Sequence, residues 1–492
     1  MLSKRIQELY EEQLAKRPAE KRYILLYEVI RKGIASLEFP AGEFLPPTRT
    51  LAQSMSVSRS TVVKAYELLS VEGYLDAKVG SGHRIRAGLQ KEKSKLIQPL
   101  DLQAFPGLSD MGQAFLNNVH FMNSTEEKSI AFRPGLPPLD IFPVNQWKSL
   151  SNLYWRQIRS SELNYSPSAG LRQLRQHIAA YLALSRGIRC EAEQVFIVSG
   201  SVQSLFLIGS SLINPGDGVV VENPTFPNVH TIFRSLRAQL HGIPTDEEGL
   251  IPEALPREAS IKLLHLTPSC HYPFGATLSL KRREQLLDWA QSRKAVIIEN
   301  DYEHEINRSR GNLPSMYSLD QGQRTVFLGT FNRILHPAIR IGYMVAPPYL
   351  VKPLEAFMKH SHRFLPPSLQ LVFNQFMEKK HLYTHIKAVR DVAQERQLLF
   401  EKEFNRHFQG RMQLQLIPHS LHALAYPLEE QDDQTLVKVL NKGHISTHSL
   451  SKCYVADTPQ QGLILGYSSA RPPVLKSKIA QMSQLLQSAS LL

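Results

Sequence analysis

Cysteine is nearly missing: 492 residues hold three, Cys190, Cys270 and Cys453, an odd number set far apart. That fits neither a disulfide framework nor a metal-ligand cluster. Long apolar runs are missing too, since nothing approaches the roughly 18 to 20 uninterrupted apolar residues that a membrane span needs, and no membrane partner is expected. The opening, MLSKRIQELYEEQLAKRPAEKR, is charged throughout and lacks the apolar stretch of a secretory signal, so a cytoplasmic location is expected. No internal repeat and no low-complexity tract is found. What remains is the composition of a globular protein, 42% hydrophobic and 21% charged. The length exceeds one typical domain by a factor of about three, which calls for at least two cores. The formal charge of +13 favours polyanionic partners but also occurs in ordinary basic enzymes. Residues 1–86 hold 14 Lys and Arg against 10 Asp and Glu, making positive charge about twice as dense there as in the rest.

Texture divides the chain into three regions. Residues 22–87 are short helical patterns ending in an alternating, glycine-punctuated stretch, and residues 1–87 are expected to form one domain. Residues 88–128, beginning GLQKEKSKLIQPLDLQ, have no sustained period and read as a linker with room for one short helix. Residues 129–492 alternate helical patterns with short β-branched runs such as 195-VFIVSG, 218-GVVVEN and 295-AVIIEND, the mark of an α/β fold with a mainly parallel sheet. Within them, about 380–492 is expected to be a smaller α+β subdomain.

In the first region, Leu26, Val29, Ile30, Gly33, Ile34 and Leu37 keep the three-and-four spacing of one helix face, and PAGEFLPPT breaks it. Thr48 is the expected N-cap of a second, short helix with Leu51, Ala52 and Met55 on one side. Ser58 is the expected N-cap of a third, in which Val62, Ala65, Tyr66 and Leu69 are the buried stripe. Arg59, Ser60, Thr61, Val63 and Lys64 are left facing outward near its start. Two short helices joined by a tight turn, with polar and basic residues opening the second, is the arrangement that places a helix N-terminus in the major groove. The following 74-YLDAKVGSGHRIR, two strand-like runs around Gly80, Ser81 and Gly82 with Lys78, Arg84 and Arg86 as charges, reads as a β wing. Topology alone leaves open a small helical subdomain with a solvated charged face. The full string LPPTRTLAQSMSVSRSTVVKAYELLSVEGYLDAKVGSG, however, closely resembles the winged helix-turn-helix of the GntR family. The resemblance implies contacts to double-stranded DNA from Arg49, Ser58, Arg59, Thr61, Lys64, Gly82 and Arg84.

In the large region, a strand ending in 198-VSGSVQSLFLIG opens a helix at Gly200, Ser201 and Val202, where free amides and the helix dipole suit an anion. FRPGLPPLDIFP, LNYSPSAGLRQLRQHIAAYL, SRGIRCEAEQVFIVSGSVQSL, ENPTFPNV, LTPSCHYPFG, VIIENDYEHEI and GTFNRILHPAIRIGYMVAP then follow in order. Together they resemble the fold-type I aminotransferase-like domain of the MocR subgroup of GntR regulators, which bind pyridoxal phosphate. The resemblance implies a phosphate cup of Gly200, Ser201, Thr330 and Arg340, a tyrosine at Tyr302 beside the cofactor's phenolic oxygen, and a homodimer.

The departures from that pattern concern the chemistry. The position of the lysine that attaches pyridoxal phosphate is Arg333, and a guanidinium, charged at any physiological pH, is not a competent nucleophile toward the aldehyde. The position of the aspartate that keeps the ring nitrogen protonated is Asn300, a neutral amide. Asp301 is adjacent, but successive strand side chains face opposite ways. Ile464 stands where an arginine would hold a substrate carboxylate, with Arg471 nearby as the alternative of a cation from the next loop. Phe226 replaces a tyrosine and Cys270 a histidine. These residues point to a transcription regulator whose large domain dimerises and senses a small anionic or amine effector without catalysis. A working aminotransferase with an accessory DNA-binding module, and a purely structural protein, are the other readings.

Overall fold

The 3.6-residue stripe of the first region folds as its spacing dictates. In the computed structural model, which describes residues 2–78, 82–86, 106–119, 131–257, 260–306, 313–455 and 459–491, the chain divides into two units, residues 1–107 and 108–492. The first unit holds helices Leu2–Lys16, Arg22–Ala35, Thr48–Ser54 and Arg59–Val71. Strands β1 (Leu75–Lys78) and β2 (Gly82–Ile85) pair antiparallel, with Leu75 opposite Ile85 and Lys78 opposite Gly82. Ile30, Leu51, Val62, Ala65, Tyr66 and Leu69 close the core, and the Tyr66 hydroxyl donates to the Pro46 carbonyl at 2.8 Å. Gly33 belongs to the stripe because a Cβ there would meet the Phe39 ring at 2.2 Å.

Three expectations need correction or addition here. Leu37 is 51% exposed, because the helix ends at Ala35 and Leu37 takes a positive φ of 65° that turns it away. Thr48 is not an N-cap but the first helical residue, since the rigid Pro47 occupies the cap position and no side chain caps the helix. The charged opening segment hides a helix, Leu2–Lys16, whose Ile6 and Tyr10, four apart, are buried in the same core. Gly80 and Ser81, the wing tip, lie outside the described residues, as do the Lys78 side chain and all of 88–128 except 106–119.

In the second unit an eight-stranded sheet is built from β3 (Val195–Val198), β4 (Gly218–Asn223), β5 (Gln239–Asp246), β6 (Gly249–Leu250), β7 (Ile261–Leu266), β8 (Val296–Asp301), β9 (Thr325–Thr330) and β10 (Gly342–Val345). Their order is β3-β10-β9-β8-β7-β4-β5-β6. The run β9-β8-β7-β4-β5 is parallel, while β10 is antiparallel to both neighbours and β6 to β5. Both faces are covered, so β3 and β10 are buried along their whole length: Phe196 and Val198 enter one core, Val195 and Ile197 the other. A smaller antiparallel sheet follows, β11 (Met412–Leu416), β12 (His422–Pro427), β13 (His448–Ser449) and β14 (Leu463–Gly466), in the order β11-β12-β14-β13. It packs with helices His381–Phe408, Asp433–Lys442 and Pro472–Ser488 around Phe400, Phe404, Leu436 and Ile479. Helix Asp110–Asn118, inside the stretch read as linker, belongs to this unit: Phe115 meets Phe206 edge-on at 6.0 Å and Asp110 pairs with Arg237 at 2.9 Å. Among the described residues no helix is long and apolar enough to cross a membrane.

Candidate functional site

Parallel strands end on one edge of a sheet, and ligands of such sheets bind in the crevice at that edge. Here β8 ends at Asn300–Asp301 and β9 at Thr330, and a cavity of about 620 Å³ opens beside them. It brings together Gly200, Ser201, Phe226, Asn300, Tyr302, Thr330, Arg333 and Arg340 from separate segments. Arg133, Gly135, Asn228, Thr267, Tyr272, Asn332 and His448 also line it.

One end of the cavity is shaped by a helix start. Gly200, with φ 136°, is the N-cap of helix Ser201–Leu212, whose first amides have no intrahelical partner. Arg340 reaches the same turn, its Nη2 donating to Ser199 Oγ at 3.4 Å, and it forms no ion pair among the described residues. Thr330 Oγ1 accepts from the Asn332 amide at 3.2 Å.

The floor shows strand alternation at work. Asn300 faces the cavity, with Nδ2 donating to His265 Nε2 at 3.2 Å, and burial holds the His265 ring neutral, its pKa pushed down to about 3. Asp301 points the other way into an ion pair with Arg186 at 2.6 Å. Tyr302 packs with its hydroxyl 3.9 Å from Cys270 Sγ, a thiol that burial pushes far up and so keeps protonated. Phe226 meets Tyr272 edge-on at 5.1 Å, completing an aromatic wall.

Arg333 has the most constrained surroundings. Its guanidinium lies 5.3 Å from the Tyr302 ring centre and 3.8 Å from Oε1 of the fully buried Glu303. Gly135, at φ 75°, lies against it so closely that a Cβ would fall 1.0 Å from Nη1. Glu303 Oε2 accepts from the Ser420 hydroxyl at 2.8 Å, linking it to the smaller sheet. Burial, with the charges of Arg133, Lys452 and Arg333 adding to it, pushes the His448 pKa down to about 3, and neither ring nitrogen has a hydrogen-bond partner among the described residues. No lysine, aspartate or glutamate lines the cavity among the described residues.

Ile464 is buried with Leu424, Leu450, Cys453 and Tyr272 and does not line the cavity; Arg471 is exposed at the start of helix Pro472–Ser488. Arg133, Tyr272 and His448 were not singled out by the sequence. Arg133 stood inside the string FRPG, where the glycine two residues on was a signal of close approach, but a histidine in a two-residue strand leaves no local signal.

In the smaller unit, Ser58 caps helix Arg59–Val71, its Oγ accepting from the Thr61 amide at 3.2 Å. Arg59 and Lys64 are exposed on that helix, and Lys64 Nζ lies 5.7 Å from the Tyr23 ring centre. Arg49 is exposed on the preceding helix and Gly82 on the wing. Arg84 is exposed too, but its Nε donates to the Gly42 carbonyl at 2.8 Å.

Comparison with known proteins fits this geometry. Residues 23–85 match the gntR family of bacterial regulatory proteins, and residues 138–455 match the class I and II aminotransferases. Over 455 residues, covering 92% of this chain and 91% of the relative, the chain is 30% identical to the probable rhizopine catabolism regulatory protein MocR of Rhizobium meliloti. The chain is a MocR-type regulator of the GntR family. A second MocR-type relative, the pyridoxine biosynthesis transcriptional regulator PdxR of Corynebacterium glutamicum, is 28% identical over 93% of this chain and 94% of its own. Among solved structures, the chain is similar to LysN, the α-aminoadipate aminotransferase of Thermus thermophilus complexed with N-(5′-phosphopyridoxyl)-L-leucine. The TM-score is 0.67, with 21% identity over 79% of this chain and 99% of that one. Kynurenine aminotransferase of Pyrococcus horikoshii gives 0.66, with 22% identity over 80% and 98%. These two likenesses establish the fold of the large unit as that of the aminotransferases.

Proposed function

We propose that this transcription regulator reads duplex DNA with the start of helix Arg59–Val71 and senses a small anionic or amine effector, without catalysis, in the cavity of its aminotransferase-like unit. The observation that carries the reading is the lining of that cavity: three arginines and no lysine among the described residues. Pyridoxal phosphate is the group the fold implies. Its phosphate finds suitable donors in Gly200, Ser201, Thr330 and Arg340, but its aldehyde finds no amine, because Arg333 stays charged. Covalently attached pyridoxal phosphate therefore does not fit. Asn300, paired with a neutral His265, also supplies no carboxylate to keep a ring nitrogen protonated. A homodimer belongs to the same proposal, because one winged helix-turn-helix reads only one half-site. Sedimentation of the full chain at micromolar concentration should give a dimer, and a monomer would reject that part.

The catalytic part is tested by mixing the purified protein with pyridoxal phosphate, reducing with borohydride and mapping peptides by mass. No stoichiometric pyridoxyl adduct on a cavity residue is expected. Such an adduct, or measurable amino transfer from a panel of amines and amino acids, overturns the reading.

A further inference from the structure

The smaller unit carries an apolar side chain that its core leaves over. Residues 42–45 run beside β2 as an extra edge of the wing, with Phe44 opposite Arg84. The Gly42 amide donates to the Ile85 carbonyl at 2.8 Å, the Leu45 amide to the His83 carbonyl at 2.9 Å and the Ile85 amide to the Glu43 carbonyl at 2.9 Å. Strand alternation then fixes the facings: Leu45 and Ile85 are buried in the core, so Phe44 and Arg84 point outward. Phe44 is 53% exposed, the only exposed aromatic ring among the described residues of its unit.

The ring and the guanidinium form a fixed pair. Arg84 lies 5.8 Å from the ring centre and is held in turn by its Nε, which donates to the Gly42 carbonyl at 2.8 Å. Asp76, opposite Arg84 on β1, is already paired with Arg86 at 3.0 Å, so the charge of Arg84 is left facing outward. From Phe44 the chain runs through the rigid Pro46 and Pro47 into helix Thr48–Ser54, where Arg49 is exposed. Phe44 is thus flanked in space by Arg84 and along the chain by Arg49, two of the cations expected to meet DNA. An apolar ring beside a guanidinium suits a polyanion that also offers apolar surface, and in duplex DNA that surface is the deoxyribose lining the minor groove, where apolar side chains are used as contacts. With the start of helix Arg59–Val71 in the major groove, an element projecting beside it reaches the adjacent minor groove, as flanking arms do.

We infer that Phe44 is a further DNA contact of this regulator, its ring packing on deoxyribose in the minor groove beside the half-site while Arg84 faces the phosphates. The inference rests on the reading that the smaller unit binds duplex DNA and adds an uncharged contact outside the recognition helix. The test uses the full chain and a duplex selected from random DNA. Phe44→Ala should weaken binding about tenfold at every salt concentration. The salt slope should stay that of the wild type, because an uncharged side chain releases no counterion, whereas a lost phosphate contact flattens the slope by about one unit. Hydroxyl radicals attack deoxyribose from the minor groove, so sugars flanking the half-site should be protected by the wild type and open in Phe44→Ala, with protection elsewhere unchanged. Phe44→Leu, which keeps an apolar side chain, should recover most of the affinity. Phe44→Gln should lose as much as Phe44→Ala and decides if the alanine variant does not fold. Unchanged affinity, a flattened salt slope, or weaker binding with the flanking sugars still protected overturns the inference. A change of sedimentation in Phe44→Ala overturns it too, because the ring would then be covered by another copy of the chain. If the variants match the wild type on a duplex that the wild type selects, the inference fails alone and the DNA-binding reading stands. If the wild type selects no duplex, the DNA-binding reading fails and the inference falls with it.

Discussion

On the proposed reading, replacing Arg59 by alanine removes one contact to DNA and should leave the fold intact. Arg59 is the first residue of helix Arg59–Val71, exposed, with no hydrogen bond or ion pair among the described residues. Its truncation removes nothing that holds the fold. The cap beside it comes from Ser58, which bonds the Thr61 amide at 3.2 Å, and the buried stripe starts only at Val62. The whole effect should therefore fall on binding. An arginine reading a guanine edge in the major groove is worth about 1 to 3 kcal/mol, which weakens binding roughly 5- to 150-fold. The loss should be largest for the preferred duplex and small for unrelated DNA, so specificity at one position relaxes. Lys64, held beside the Tyr23 ring, is the control: as a phosphate contact, its replacement should weaken all duplexes alike and flatten the salt dependence by about one unit of slope. Arg84 is a poorer probe because its Nε also ties the wing to Gly42. The assay is a titration of selected and scrambled duplexes across salt. Unchanged affinity and selectivity of Arg59→Ala at every salt concentration would refute this placement.

Arg333→Lys, mixed with pyridoxal phosphate and reduced, should give at most a substoichiometric adduct and no amino transfer, because Asn300 and Ile464 remain; efficient turnover by this single variant would show that the other two positions do not matter. Gly135→Ala places a methyl where the Arg333 guanidinium lies and forces an L-residue to hold φ 75°, a backbone cost of about 1 to 2 kcal/mol. The variant should melt at a lower temperature than the wild type, and an unchanged midpoint would contradict the close packing. In acid the large unit should lose stability, because burial pushes His230 and His271 down to about 4 and His265 and His448 down to about 3 from an ordinary value of 6.5. The unfolded chain then binds more protons as pH falls below about 6.5, so stability drops from there toward pH 4. Glu222, raised by burial to about 7, acts in the opposite sense between 4.5 and 7, as do Glu299, Glu305 and Asp433, also raised by burial, but His336, His385 and His422 are pushed down as well, so seven lowered histidines stand against four raised carboxylates. Thermal midpoints at pH 7.5 and 5.5 check the sign, and a higher midpoint at pH 5.5 would refute it.

Local rules were readable where one element decides the outcome. The Ser58 cap and the stripe Val62, Ala65, Tyr66 and Leu69 follow from spacing on a single helix, and the opposite facings of Asn300 and Asp301 follow from strand pleating. The misreadings lie at element ends, where a neighbour decides: Leu37 falls beyond the helix, and Pro47 takes the place that Thr48 was given. The helix Leu2–Lys16 was hidden because its two fully buried residues are outnumbered by charges on the other faces. The cavity was harder still. Arg133 and His448 meet Arg333 only because Phe132 and β13 both join β14, and no local spacing records a pairing across more than three hundred residues.

The surroundings of Arg333 bear on whether the cavity is a collapsed remnant or a binding site. A guanidinium that is mostly out of water costs several kcal/mol unless it is paired. Glu303 at 3.8 Å and the face of Tyr302 at 5.3 Å provide that pairing, yet both leave the N–H fork without a hydrogen bond among the described residues. A methionine could fill the same space against Gly135 without requiring a buried carboxylate. The buried Glu303 is in turn held by Ser420, whose hydroxyl lies 2.8 Å from His422 Nδ1 on β12. A chain of polar groups therefore runs from Arg333 through Glu303 and Ser420 into the smaller sheet. An anion that drew the guanidinium toward the cavity would weaken its hold on Glu303 and transfer that cost to Ser420 and His422. Ligand occupancy would then be felt outside the cavity, which is what a sensor requires and a catalyst does not.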